Sequence, residues 1–117
     1  MPWVQVHLPR SYETGAYDAV KTEIAKVLAE ELDKPEQGLS VSFYTPAAFY
    51  RAGEASDKTA ALDVKYIGSF PLEKKQAVTR RLATFLSGKF GFDPMKIIVL
   101  FTEVESGNWG RRGGDFS

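Results

Sequence analysis

Apolar and polar residues alternate over residues 3–8, WVQVHL, and this period of two with β-branched positions predicts a strand. Pro9 to Gly15 is turn chemistry. The period then changes. Over residues 16–33, Tyr17, Val20, Ile24, Val27, Leu28 and Leu32 fall on one face with charges opposite, which predicts an amphipathic helix. Pro35 and Gly38 end it. Residues 39–45, LSVSFYT, read as a second strand, 46–59 as a long loop of small and polar residues, and 60–68, AALDVKYIG, as a third strand. Pro71 stands at the entry to a second helix, where a missing N–H costs nothing. That helix runs to about Gly91 with Val78, Leu82, Phe85 and Leu86 inward. Asp93-Pro94 breaks the chain before residues 96–104, KIIVLFTEV. The middle of this last strand is apolar on both faces, so it is expected to be central and covered on both sides. From Glu105 the chain is Gly-rich and irregular, with Trp109 and Phe116 as candidate anchors.

The order is β-α-β followed by β-α-β. Ile24, Leu28, Ala29 and Leu32 are echoed by Val78, Leu82, Ala83 and Leu86, and Leu39 to Phe43 by Ile97 to Phe101. The chain is therefore expected to be one domain, 1–117, with a pseudo-repeat of 2–45 and 60–104. Right-handed crossovers in both units place the two helices on one face of a four-stranded sheet, an α/β (α+β) fold. The side suited to the helices reads Val4, Val6, Leu8; Val41, Phe43; Leu62, Val64; Ile97, Val99, Phe101. The opposite side carries Trp3, Gln5, His7; Ser40, Ser42, Tyr44; Ala61, Asp63, Lys65, Ile67; Ile98 and Leu100. This mixed face suits either packing against other subunits around a wet centre or plain exposure.

Composition narrows the classes. The 117 residues are 44% hydrophobic and 26% charged, the balance of a globular protein. Fifteen Lys and Arg offset fifteen Asp and Glu, which argues against a nucleic-acid partner. A ferredoxin-like RNA-binding domain shares the element order, but AALDVKYIG is not its basic-aromatic third strand. Cysteine is absent, which excludes disulfides and thiolate chemistry, and the lone His7 cannot form a metal cluster. No stretch approaches about 18 apolar residues, so no membrane partner is expected. The N-terminus does not read as a signal peptide, and a cytoplasmic location is the expectation.

The candidate chemistry begins at Pro2. Removal of Met1 would leave a proline N-terminus, a secondary amine titrating near about 8. An apolar pocket and nearby cations lower that value, making a general base without histidine. Lys34, in Asp-Lys-Pro, can meet the carbonyls of the helix end or bind a carboxylate. Arg111 and Arg112 sit between tail glycines as a possible clamp for an acid or as solvated charges. Glu103 ends the last strand, where a carboxylate either activates water or is simply solvated. His7 is expected to hydrogen-bond within the sheet or an interface. Gly110, Gly113 and Gly114 precede no helix, so no nucleotide loop is indicated.

Taken together, Met1-Pro2 before a strand, Asp33-Lys34-Pro35 after the first helix, Val64 to Gly68, Pro94 through Phe101 and the Trp-Gly-rich tail resemble the tautomerase superfamily. Length and layout are most similar to the macrophage migration inhibitory factor-like members, and the tail to an uncharacterised bacterial tautomerase-like family. The resemblance implies a mixed four-stranded sheet and a homotrimer with barrel-like packed sheets and sites between subunits. It implies cofactor-free keto–enol tautomerisation of a small 2-keto or enol acid, with no metal. By position Pro2 would be the base and Lys34 the carboxylate binder. Ile67 would line the pocket; the tail residues Trp109, Arg111 and Arg112 are substrate-contact candidates on their own chemistry, an apolar wall and an acid clamp. Two departures stand out. The factor-like members present a tyrosine and an asparagine from the last strand, where this chain has Ile98 and Leu100. The decarboxylase and dehalogenase branches carry an arginine pair where this chain has Ser69 and Pro71. A non-catalytic protein of the same fold, acting through ligand or protein binding, is the alternative.

Overall fold

The computed structural model describes residues 2–111. Strand β1 (Trp3–His7) leads to helix α1 (Thr14–Leu32) and strand β2 (Ser40–Tyr44). Short strands β3 (Tyr50–Arg51) and β4 (Glu54–Ala55) follow, then β5 (Ala60–Ile67), α2 (Leu72–Phe90) and β6 (Ile97–Val104). The main sheet has four strands in the order β2-β1-β5-β6. β1 and β2 pair parallel, β5 and β6 pair parallel, and β1 meets β5 antiparallel. A helix bridges each parallel pair, as parallel strands require.

Both helices cover one face. Val20, Ile24, Val27, Leu28 and Leu32 of α1 and Val78, Leu82 and Leu86 of α2 are buried against Val4, Val6, Leu62 and Val64. Tyr17 and Phe85, the remaining expected inward positions, are partly buried at the rim of this core. Arg81 links the helices through Glu30 at 2.7 Å and Glu31 at 2.9 Å.

Two expectations need correction. Residues 46–59 are not wholly loop, because Tyr50 pairs with Ala55 and Arg51 with Glu54 across Ala52 and Gly53. Both turn residues have positive φ, 55° and 84°, the signature of a tight hairpin turn. β6 is not central but an edge strand, with Ile98 41% and Leu100 55% exposed. Its helix-side residues, Ile97, Val99 and Phe101, do pack on the core. Apolar residues on both faces show that a strand wants cover on both, not that its own chain supplies it.

Candidate active site

The termini of several elements converge at one end of the sheet. β1 begins there, β2 begins there, β5 and β6 finish there, α1 ends there and α2 starts there. The Pro2 carbonyl accepts from the Ser40 N–H at 3.0 Å, which fixes the start of β1 beside β2. Trp3 lies opposite Lys65, so the antiparallel register sets Pro2 beside Tyr66. Pro2 itself is buried.

Lys34 reaches this end because α1 stops abruptly. Asp33 takes a left-handed conformation with φ 55°, and the Lys34 N–H closes on the Leu28 carbonyl at 3.1 Å. The side chain then leaves the helix. Its Nζ donates to the Ile67 carbonyl at 3.2 Å and lies 5.7 Å from the centre of the Phe70 ring. An ammonium has three donors, and the Ile67 bond accounts for one. The arrangement can therefore offer donors to an anion while the carbonyl and ring hold the charge in place.

Gly68, at φ 102°, turns the chain away from β5 in a conformation that L side chains rarely adopt. Its N–H donates to the Val104 carbonyl at 3.0 Å. Phe70 follows, and its N–H donates to Glu103 Oε2 at 2.9 Å. The same oxygen accepts from the Tyr66 hydroxyl at 2.7 Å, and Lys75 Nζ lies 3.6 Å away. These partners hold the Glu103 carboxyl below its ordinary pKa, the Tyr66 hydrogen bond first, then the Phe70 N–H, with Lys75 adding to them. Burial, then the neighbouring carboxylate, pushes the Tyr66 phenol up. Glu103 is thus an exposed strand end, as its position suggested, but one whose carboxylate is engaged by Tyr66, the Phe70 N–H and Lys75.

The open face of the sheet carries a second group. Trp109 lies with Trp3, Lys65, Val104, Asn108 and Gly110 around a cavity of about 360 Å³. Lys65 is engaged by Asp63 at 2.7 Å, and Asp63 also accepts from Thr102 at 2.7 Å. Trp3 Nε1 donates to Ser42 Oγ at 2.9 Å. His7 stacks on Tyr44 with ring centres 5.0 Å apart. The structure therefore seats the Lys34 ammonium on the Ile67 carbonyl at the end of the sheet where β1 begins after Pro2, and places Trp109 with Trp3 around the cavity on the open face. Arg111 is exposed, and Arg112 lies outside the described residues. Among the described residues no group of three His, Cys, Asp or Glu could hold a metal ion.

Sequence reasoning does not single out Tyr66, and it offers Glu103 as a water-activating or solvated carboxylate, not as the partner of Tyr66. A signal existed. Tyr66 continues the alternation of Leu62 and Val64, and Glu103 that of Ile97, Val99 and Phe101. A phenol and an acid thus close two apolar alternations on the covered face, and the strands pair them directly.

The fold, two β-α-β units with both helices on one face of a mixed sheet, is that of the tautomerases. The profile of the macrophage migration inhibitory factor family matches residues 1–117, and the chain belongs to that family. Among solved structures, the macrophage migration inhibitory factor-like protein of Entamoeba histolytica is 24% identical, with 95% of each chain covered and a TM-score of 0.82. Macrophage migration inhibitory factor of Toxoplasma gondii is 20% identical, covering 93% of this chain and 95% of its own, with a TM-score of 0.85. A fused 4-OT protein described as a symmetric trimer is 20% identical over 97% of this chain and 94% of its own, with a TM-score of 0.81. No curated protein sequence matches the chain. Among the described residues, no helix is long and apolar enough to cross a membrane.

Proposed function

We propose that the chain is a cofactor-free keto–enol tautomerase of small 2-keto acids, working as a cytoplasmic homotrimer. One observation carries the reading: the Lys34 ammonium is seated on the Ile67 carbonyl at the end of the sheet where Pro2 enters β1. Lys34 binds the substrate carboxylate, and Ile67 lines the pocket beside it. With Met1 removed, the Pro2 nitrogen takes the enol proton and returns one to carbon, so nothing is oxidised or reduced. Trp109 supplies an apolar wall, with Arg111 and Arg112 as further contacts from the tail. The whole chain is read as one domain built from two like halves, 2–45 and 60–104.

The test uses protein whose intact mass shows Pro2 as the first residue. It should convert phenylenolpyruvate to its keto form without added metal or cofactor. No rate above buffer between about pH 6 and 9, across several enolpyruvates, would overturn the reading. A second reading has its own support. Ile98 and Leu100 put exposed apolar side chains on the strand that carries the polar pair of factor-like members. A protein of this fold acting only through ligand or protein binding fits that substitution, and the same assay separates the two.

A further inference from the structure

The hydrogen-bond cluster behind Lys34 has a purpose that its own chemistry does not explain. Glu103 Oε2 gathers the Tyr66 hydroxyl at 2.7 Å and the Phe70 N–H at 2.9 Å. The Phe70 ring packs edge-on against Tyr66, 5.1 Å between centres, and its face is presented to Lys34 Nζ at 5.7 Å. Ile67, whose carbonyl takes the other contact of that ammonium, is the residue after Tyr66. Both supports of the ammonium therefore belong to the segment that this one carboxylate ties down. We infer that Glu103 is a positioning residue: by holding Tyr66 and the Phe70 N–H, it fixes the segment on which the Lys34 ammonium is seated. This rests on the reading of Lys34 as the carboxylate binder.

Two features favour positioning over simple adhesion. A single oxygen serves both donors, so losing it frees strand end and loop together. Tyr66 is fully buried, and the Glu103 carboxylate is the partner that its phenol donates to. The aliphatic rest of Glu103 contributes little that a glutamine would not. An amide oxygen in the same place still accepts from both groups, whereas alanine accepts from neither.

The experiment uses the full chain and phenylpyruvate as the probe, with its Kd measured by titration. Glu103→Ala is made together with Tyr66→Phe, so that no buried hydroxyl is orphaned, and is compared with Glu103→Gln. Hydrogen exchange at the Phe70 amide gives a readout independent of ligand. The alanine variant should speed Phe70 exchange about tenfold and raise the Kd about tenfold, while the glutamine variant stays within about twofold on both. On a Lys34→Ala background the same Glu103 change should leave the Kd unmoved, because the seat has lost its occupant. Equal losses of affinity with and without Lys34, or unaltered Phe70 exchange in the alanine variant, would overturn the inference. If the unsubstituted chain does not bind phenylpyruvate, the proposed function is what fails, and Phe70 exchange alone decides the role of Glu103.

Discussion

Lys34 is the residue on which structure and chemistry bear most directly. Its ammonium is drawn off the helix end and onto a strand carbonyl, so its removal should affect turnover more than folding. Lys34→Ala is expected to lower kcat/KM for an enolpyruvate by about 10- to 100-fold, the equivalent of one charged hydrogen bond. The Tm should move little, and a lowered Tm with intact turnover would identify a purely structural lysine. Glu103 offers a test of different kind. Its carboxyl is held below the ordinary value of 4.5, so the stability it contributes is present above that value and lost as pH falls through the lowered one. A glutamine cannot titrate there. Tm measured against pH should show Glu103→Gln below the unsubstituted chain near neutrality, with the two curves converging in acid. Parallel curves would mean that Tyr66 and Phe70 do not favour the ionised carboxylate. Ala52 is a strained residue with φ 55° in the β3–β4 turn, where asparagine is favoured. Ala52→Asn should stabilise by about 0.5–1 kcal/mol in denaturant unfolding, since the left-handed conformation costs alanine about that much or more.

At the scale of elements, the two helices and four main strands were legible because each has a strong period. The 3.6-residue spacing of Val20, Ile24, Val27 and Leu28 has one plausible outcome once a sheet lies beside it. The buried end of that stripe supports a prediction: Leu28→Ala removes a side chain 1% exposed and should cost about 2–5 kcal/mol of stability. A loss under about 1 kcal/mol in urea unfolding would place α1 outside the cooperative core. The β3–β4 hairpin was not legible, because two-residue strands show no period and alanine is an unusual choice for the first turn position. The place of β6 was misread for a different reason. Apolar side chains on a face do not by themselves say whether it is covered or by what. The site was half legible. Pro2, Lys34 and Ile67 stand out through resemblance, whereas the Tyr66–Glu103 bond spans 37 positions and exists only because β5 and β6 pair in one register. Spacing along a chain cannot reveal such a contact, and only the two alternations ending in polar groups hint at it.

For the whole molecule, the unfinished surfaces converge on one arrangement. The sheet has its helices on one side only, and the other side shows Trp3, Tyr44, Ile98 and Leu100, each more than a third exposed. Among the described residues its outer strands, β2 and β6, each have an unpaired edge. Unpaired edges and an uncovered apolar face are liabilities that a stable protein usually covers. β2 and β6 lie at opposite sides of the sheet, so pairing one copy's β2 with another's β6 is a head-to-tail contact that closes into a ring or grows without limit. A ring of three would turn the open faces inward and cover Ile98 and Leu100. The prediction is a homotrimer at micromolar concentration, with more than about 1,000 Å² buried at each contact. Light scattering should give three times the chain mass of 13.0 kDa. Ile98→Lys with Leu100→Lys should break the assembly, since charges at a buried contact are costly, yet leave the core beneath the helices folded. These side chains are exposed in the single chain, so far-ultraviolet circular dichroism should change little while the mass falls to one chain. If the unsubstituted protein already scatters as a 13.0 kDa monomer, the open face is water-facing and sites between subunits cannot form. Loss of activity in a double variant that remains trimeric would instead place Ile98 or Leu100 in contact with substrate.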